Sequence, residues 1–180
     1  MPGPLGEDIG FRDLDRGDFP ELLAWLSTPH VSEWWGEPPQ DITAVDDRYG
    51  PCIDRTDPTR HFVITVASRH VGMIETYLLK DNPEYQDVVG VEDAAGLDIL
   101  IGDPDLIGRG LGTEVVKLFV EQIGWPTFAG AARYMAGPSI RNIRSRRMFE
   151  KAGFAAVGEV EVPGEPDPEV ILVLERPSFS

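Results

Sequence analysis

Residues 97–123 read LDILIGDPDLIGRGLGTEVVKLFVEQI, and the fold turns on how this stretch divides. Leu97 to Ile101 is a β-prone run with one acid, Asp98, in apolar company. A turn follows at Gly102, Asp103, Pro104 and Asp105, and then Ile107-Gly-Arg-Gly-Leu-Gly-Thr113. From there Leu111, Val115, Val116, Leu118, Phe119, Val120 and Ile123 recur on one side while Glu114, Lys117 and Glu121 take the other, which is a helical period. Strand, glycine-rich turn and helix leave unpaired N–H groups at the helix start, aimed at an anion. Gly108, Gly110 and Gly112 have no Cβ, so a phosphate can come close to the backbone. The Gly-Lys-Ser/Thr ending of a nucleotide P-loop is missing. Alternate glycines alone also read as a tight strand-to-helix turn and nothing more.

Residues 142–154, NIRSRRMFEKAGF, supply the second signal. Gly-Arg-Gly-Leu-Gly-Thr followed by Asn-x6-Phe-Glu-Lys-Ala-Gly-Phe resembles the GNAT superfamily of acetyl-CoA-dependent N-acetyltransferases, over roughly residues 9–176. The first motif is similar to their pyrophosphate loop, the second to their last core helix and the strand after it. A narrower likeness, to the aminoglycoside 6'-N-acetyltransferases, rests on His30-Val-Ser-Glu-Trp-Trp-Gly36, on Tyr49 ahead of Pro51, and on Gly96-Leu-Asp98. The resemblance implies an α/β fold (α+β mixed): a mixed, mostly antiparallel central sheet with splayed central strands, flanked by helices.

Composition sets the bounds. A chain of 180 residues suits a single domain over residues 9–180, with residues 1–8 as a flexible tail. Hydrophobic content of 42% and charged content of 26% are those of a soluble globular chain. No apolar run reaches the length of a membrane span, and the N-terminus lacks the pattern of a signal peptide. Cys52 is the only cysteine, so no intrachain disulfide can form and a cytoplasmic location fits; its expected role is that of a small hydrophobe. A net charge of −15 argues against nucleic acid and anionic membrane as partners and favours a cationic ligand. Against that background Arg141, Arg144, Arg146, Arg147 and Lys151 cluster around a single acid, Glu150. This basic helix is either a solvated face or a partner for an anionic cofactor such as the CoA phosphates.

Taken in order, Ile9 to Leu14 is a short strand. Asp18-Phe-Pro-Glu21 opens a helix capped by Asp18, with Leu22, Leu23, Trp25 and Leu26 as its apolar side and Pro29 closing it. Trp34 and Trp35 are adjacent and so point to different sides, one inward and the other to a surface or cleft. Asp41 caps a second helix that Gly50-Pro51 ends after Tyr49. His61 to Ala67 and His70 to Leu79 form a hairpin about Ser68-Arg69, with Gly72 at a bulge. Glu75 and Tyr77 share a strand face, turned either outward or into the cleft. Residues 80–96 are a long acidic connection, and Asp98 opens the central strand. Ala131 to Ala136 is a further strand, Gly153 caps the last helix, and Phe154–Val162 with Glu169–Glu175 make a terminal hairpin. His30, His61, His70 and Cys52 have no zinc-site spacing, so no metal is expected, and no Gly-x-Ser-x-Gly nucleophile elbow is present.

The family resemblance assigns roles to particular residues. Backbone groups of Ile99, Leu100 and Ile101 would pair with the pantetheine arm, and amides of the loop Ile107, Gly108, Arg109, Gly110, Leu111, Gly112 and Thr113 would hold the pyrophosphate. Asn142 matches a residue that contacts the CoA arm. Phe149 stands where many members have the tyrosine that protonates the leaving thiolate, and Gly137 where the aminoglycoside enzymes tend to place an acid. Ile107 replaces the usual Gln or Arg. An acceptor amine with a pKa between the α-amino and lysine references is neutral in at most about one molecule in ten at pH 7, so a base is useful. Asp98 matches the acid that anchors the acceptor and is the first candidate, with Glu75 the second. Trp34, Trp35, Tyr49, Tyr77 and Asp98 are the candidate acceptor contacts, and Tyr77 or Tyr134 could replace the missing proton donor. The implied function is acetyl transfer from acetyl-CoA to a small polycationic amine, an aminoglycoside first, by a monomer or homodimer. The alternatives are another amine (a siderophore precursor, a polyamine or a protein N-terminus) or a silent acyl-CoA-binding sensor.

Overall fold

The computed structural model describes residues 8–178. Its seven strands are β1 (Ile9–Asp13), β2 (Arg60–Val66), β3 (Arg69–Leu78), β4 (Ala94–Ile101), β5 (Arg133–Ala136), β6 (Ala155–Val160) and β7 (Glu169–Glu175). They form one sheet in the order β1-β2-β3-β4-β5-β7-β6. The sheet is mixed and mostly antiparallel, with β4 and β5 as a parallel pair. Registered pairs between those two are confined to Ala94↔Arg133, Ala95↔Tyr134 and Gly96↔Met135. Contacts divide the chain into two compact units, one running up to Glu75 and including Asp98–Val115, the other comprising Thr76–Leu97 and the chain from Val116 onward.

In the first unit, Asp8 is fixed through its carbonyl, which accepts the Ala67 N–H at 2.8 Å; the remainder of the expected tail lies outside the described residues. Helices α1 (Phe19–Leu26), α2 (Pro29–Trp35) and α3 (Ile42–Ile53) bury Leu22, Leu26, Val31, Val45 and Tyr49 with Val63, Met73 and Leu100 of the strands. The α1 cap differs from the expected one: Asp18 stands at the cap position but makes no side-chain cap bond there. Asp15 instead caps the 3-10 turn Arg16–Asp18 that leads into α1, with an extended backbone and a bond from the Gly17 N–H at 2.7 Å. Asp18 returns the bond to the Asp15 N–H at 2.9 Å and takes the Arg12 guanidinium on both oxygens, at 2.7 and 2.9 Å. Burial opposes the Asp18 charge, but Arg12 and the Asp15 N–H outweigh it and hold the carboxyl low. Pro29 starts α2 as well as closing α1, as a proline at a first helical position does.

Helix α3 also corrects the expectation that Gly50-Pro51 would end it. Asp41 caps it through the Ala44 N–H at 2.9 Å, and the helix continues through Pro51 to Ile53. Proline removes one backbone donor, yet Tyr49 and Cys52 are buried and Ile53 packs on the core, so tertiary packing outweighs the local loss. The β2–β3 turn falls on Ala67 and Ser68, both left-handed (φ 48° and 66°). Gly72 serves a close approach: a Cβ there would run into the Leu100 carbonyl of β4.

In the second unit, the acidic connection is not an open loop. Asn82 accepts the Tyr85 N–H, Pro83 begins helix α4 (Pro83–Val89), and Gly90 closes it with φ 68°. Strand β4 then begins at Ala94, ahead of the expected Leu97, because Val89, Val91 and Ala94 are drawn into a cluster with Leu79, Met135 and Ile171. Helix α5 (Leu111–Phe119) leads into a π-helical stretch at Val120–Gly124 and a last turn, α6 (Trp125–Thr127). Gly124 lies against the Tyr134 hydroxyl, which a Cβ would meet at 2.6 Å. Helix α7 (Ile143–Lys151) is capped by Asn142, and Gly153 closes it with φ 101°. The terminal hairpin is antiparallel, with a register shift between Ala156 and Gly158.

Candidate active site

The cofactor-side candidates of the first unit lie at the end of β4 and the start of α5. Peptide groups alternate along a strand, and the Gly102 N–H reaches the Val71 carbonyl of β3 at 2.8 Å. Leu100 therefore shares that edge, while Ile99 and Ile101 present theirs to the opposite edge, beyond the last registered β4–β5 pair at Gly96. The Ile101 carbonyl also takes the His30 Nε2 at 2.9 Å, which requires the hydrogen of that ring to lie on Nε2. His30, part of the tryptophan motif, thus steadies the strand end. Downstream, Asp103 accepts the Asp105 N–H and shapes the turn at Pro104–Leu106.

Gly108 and Gly110 follow with φ of 74° and 83°, a conformation that side chains with a Cβ resist. Both are exposed, as is Arg109, and Ile107 is half-buried. The helical bond from the Glu114 N–H to the Gly110 carbonyl comes only after Leu111, Gly112 and Thr113, whose N–H groups belong to the orphaned first turn. This exposed cradle fits a diphosphate, and its charge preference comes from amide dipoles rather than from the missing Gln or Arg.

The acceptor-side candidates of the same unit are Trp34, Trp35, Tyr49, Glu75 and Asp98. Trp35 packs on the hydrophobic core, while Trp34, also half-buried, is not part of that cluster, which is the division expected of adjacent residues. Tyr49 is 1% exposed, and burial raises its phenol well above the usual range. Asp98 is half-buried in mid-strand. Glu75 does not stand alone: its Oε2 lies 2.7 Å from His61 Nε2. Sequence reading set His61 aside because no metal spacing supported it, although a histidine within an apolar strand run was a signal for a buried partner. Cys52 is buried, and burial followed by the neighbouring Asp57 pushes its thiol up to about 12, so it is no nucleophile at neutral pH.

In the second unit, Tyr77 lies across Gly96, where a Cβ would meet its ring carbons at 2.5 Å and its hydroxyl at 2.8 Å. Its phenol therefore sits beside the last β4 residue paired with β5. Tyr134, the other possible proton donor, is fully buried beside Thr76 at 3.2 Å, and burial pushes it up to about 12. Phe149 is 3% exposed, its ring set edge-on to Phe154 with centroids 5.3 Å apart. The Asn142 side-chain oxygen caps α7 by accepting the Ser145 N–H at 3.2 Å. The basic cluster divides: Arg141 pairs with Asp167 at 3.3 Å and Arg146 donates to the Ile140 carbonyl, while Arg144, Arg147 and Lys151 are exposed.

The space a side chain at Gly137 would fill is taken by the Glu169 carboxylate and the Tyr85 hydroxyl, themselves bonded at 2.7 Å. Burial raises the Glu169 carboxyl. No sequence motif pointed to this pair. Among the described residues no three His, Cys, Asp or Glu side chains converge as metal ligands, and no helix is long and apolar enough to cross a membrane.

A family profile described as an acetyltransferase (GNAT) domain matches residues 15–162. The chain belongs to the GNAT acetyltransferase family. It is 26% identical over 176 residues to aminoglycoside N(6')-acetyltransferase type 1 of Klebsiella pneumoniae, covering 96% of this chain and 86% of that one. A crystal structure of aminoglycoside acetyltransferase AAC(6')-Ib with coenzyme A and kanamycin superposes with a TM-score of 0.77 at 25% identity, over 94% of this chain and 95% of the other. Spermidine N-acetyltransferase from Vibrio cholerae, at 17% identity and a TM-score of 0.70 over 93% of this chain and 95% of that one, shares the fold. This GNAT chain is accordingly an acyltransferase that uses acetyl-CoA.

Proposed function

We propose that this acetyltransferase modifies a small polycationic amine, an aminoglycoside at its 6'-amine, by direct transfer. The observation that carries the reading is that one compact unit holds both the exposed glycine cradle at the α5 start and the half-buried acids Glu75 and Asp98. Likeness to the aminoglycoside enzymes along nearly the whole chain supports the choice of acceptor.

When bound, acetyl-CoA supplies an acetyl thioester. The amides from Gly108 to Thr113 would hold its diphosphate, and the Ile99 peptide with the Ile101 N–H would align its arm as an added strand does, the Ile101 carbonyl being taken by His30. Asp98 takes the proton that the acceptor ammonium must lose, at a carboxylate oxygen. Burial takes the Tyr134 phenol out of proton transfer and Phe149 has no proton to give, so the departing thiolate leaves as the anion or takes a proton from water. Trp34 offers a flat face to the sugar rings of the acceptor. Where Gly137 replaces an acid of the aminoglycoside enzymes, Glu169 keeps a carboxylate beside the backbone.

The test is the identity of the product. Incubated with acetyl-CoA, the protein should convert kanamycin to a monoacetylated species whose NMR spectrum places the acetyl group on the 6'-amine. Acetylation at another amine would retain the enzyme class and reject the assigned position.

A further inference from the structure

His61 stands on β2, 8% exposed, and its Nε2 lies 2.7 Å from Glu75 Oε2 on β3. A carboxylate oxygen accepts, so Nε2 carries the hydrogen. The other ring nitrogen, Nδ1, is buried without a hydrogen-bond partner among the described residues. Tyr49 of α3 sets its ring edge-on to the imidazole, with centroids 5.1 Å apart and planes at 89°. The Tyr49 hydroxyl is likewise buried and without a partner among the described residues. Polar atoms buried in this way are unfavourable unless water or a ligand completes them, and an apolar contact between these elements would pack without them. Three polar side chains from α3, β2 and β3 thus converge where packing alone asks for none.

The consequence falls on Glu75. One oxygen is committed to the imidazole, which is itself held by the Tyr49 ring. The imidazole pairs with Oε2 alone, so Oε1 takes no part in that bond, and the side chain remains 19% exposed. A carboxylate gripped on one side by a buried ring cannot swing away, so its second oxygen is held at a fixed angle. Such a group is suited to receive a cation by a charge-assisted hydrogen bond.

We infer that Glu75 is a subsite for a second ammonium group of the acceptor, separate from the amine that reacts, and that His61 is its positioning residue. The inference rests on the acetyl-transfer reading above and deepens it. Asp98 serves the reacting amine, and Glu75 selects acceptors that carry a further positive charge. Removing the pair should therefore weaken binding of polyamines far more than it slows turnover.

Steady-state kinetics would compare kanamycin with a sugar bearing a single primary amine. Glu75→Gln and His61→Leu should each raise the kanamycin KM at least tenfold with kcat within about threefold, and leave the KM of the monoamine unchanged. The double variant should be no worse than Glu75→Gln alone, and His61→Gln, which keeps a donor, should recover part of the loss. Melting temperatures identify any variant that fails to fold; Glu75→Gln and His61→Gln then carry the comparison. Additive effects, or an unchanged kanamycin KM in Glu75→Gln, would overturn the inference and leave the pair as a strut between strands. A second readout needs no turnover: kanamycin titrated into the protein with CoA should shift the His61 ring nitrogens in NMR spectra of the wild type but not of Glu75→Gln. Absence of that shift overturns the subsite. Absence of acetyl transfer by the wild type, with the shift present, overturns the activity and leaves a polyamine site.

Discussion

At the scale of single residues, the proposed chemistry rests on Asp98. Asp98→Asn keeps shape and half-burial while removing charge and basicity. A general base contributes about 10²–10⁴-fold, so kcat/KM at pH 7 should fall by an amount in that range. The defect should shrink as pH rises, because the acceptor amine then loses its proton to solvent and needs no base. A pH profile of both proteins checks this; an Asp98→Asn enzyme with wild-type kcat/KM at pH 7 would make Asp98 a structural residue. Phe149 has no proton to transfer, and Tyr134 is withdrawn from proton transfer by burial. Tyr77 lies close to the β4 backbone only because residue 96 is glycine.

At the scale of elements, the turn before α5 is the part with the least freedom to change. Gly110→Val would place a β-branched side chain at φ 83° and in the space a phosphate must enter. Calorimetry should show acetyl-CoA affinity at least tenfold weaker in a protein with a native-like melting transition; unaltered affinity would remove the loop from the cofactor site. This loop, β4 and α5 were legible in the sequence, because glycine spacing and a 3.6-residue period are local signals. The α4 helix was missed: residues 80–96 read as an acidic connection, although Asn82, Pro83 and Gly90 stand at its cap, start and end. Other features could not be read. The extension of α3 past Pro51 depends on burial of Cys52 and packing of Ile53, and the missing side-chain cap of α1 depends on Arg12 reaching Asp18. The His61–Glu75 bond and the Glu169 carboxylate at Gly137 join residues far apart in sequence, which only the folded sheet brings together.

At the scale of the whole molecule, a net charge of −15 surrounds a site proposed to take a polycation. Exposed charges attract such a ligand at long range and are screened beyond about 8 Å at physiological ionic strength. The kcat/KM for an aminoglycoside should therefore fall steeply between low and physiological salt, while that for a singly charged amine falls less. A flat response for both would remove the polycation from the account. Movement of acetyl groups by this GNAT chain from acetyl-CoA to an amine acceptor of the aminoglycoside class is measured by following thiol release from acetyl-CoA. With kanamycin present, thiol should appear in step with acetylated product, and without an amine it should not. No thiol release with kanamycin or with any amine of a broad panel, from protein that binds acetyl-CoA, would contradict it.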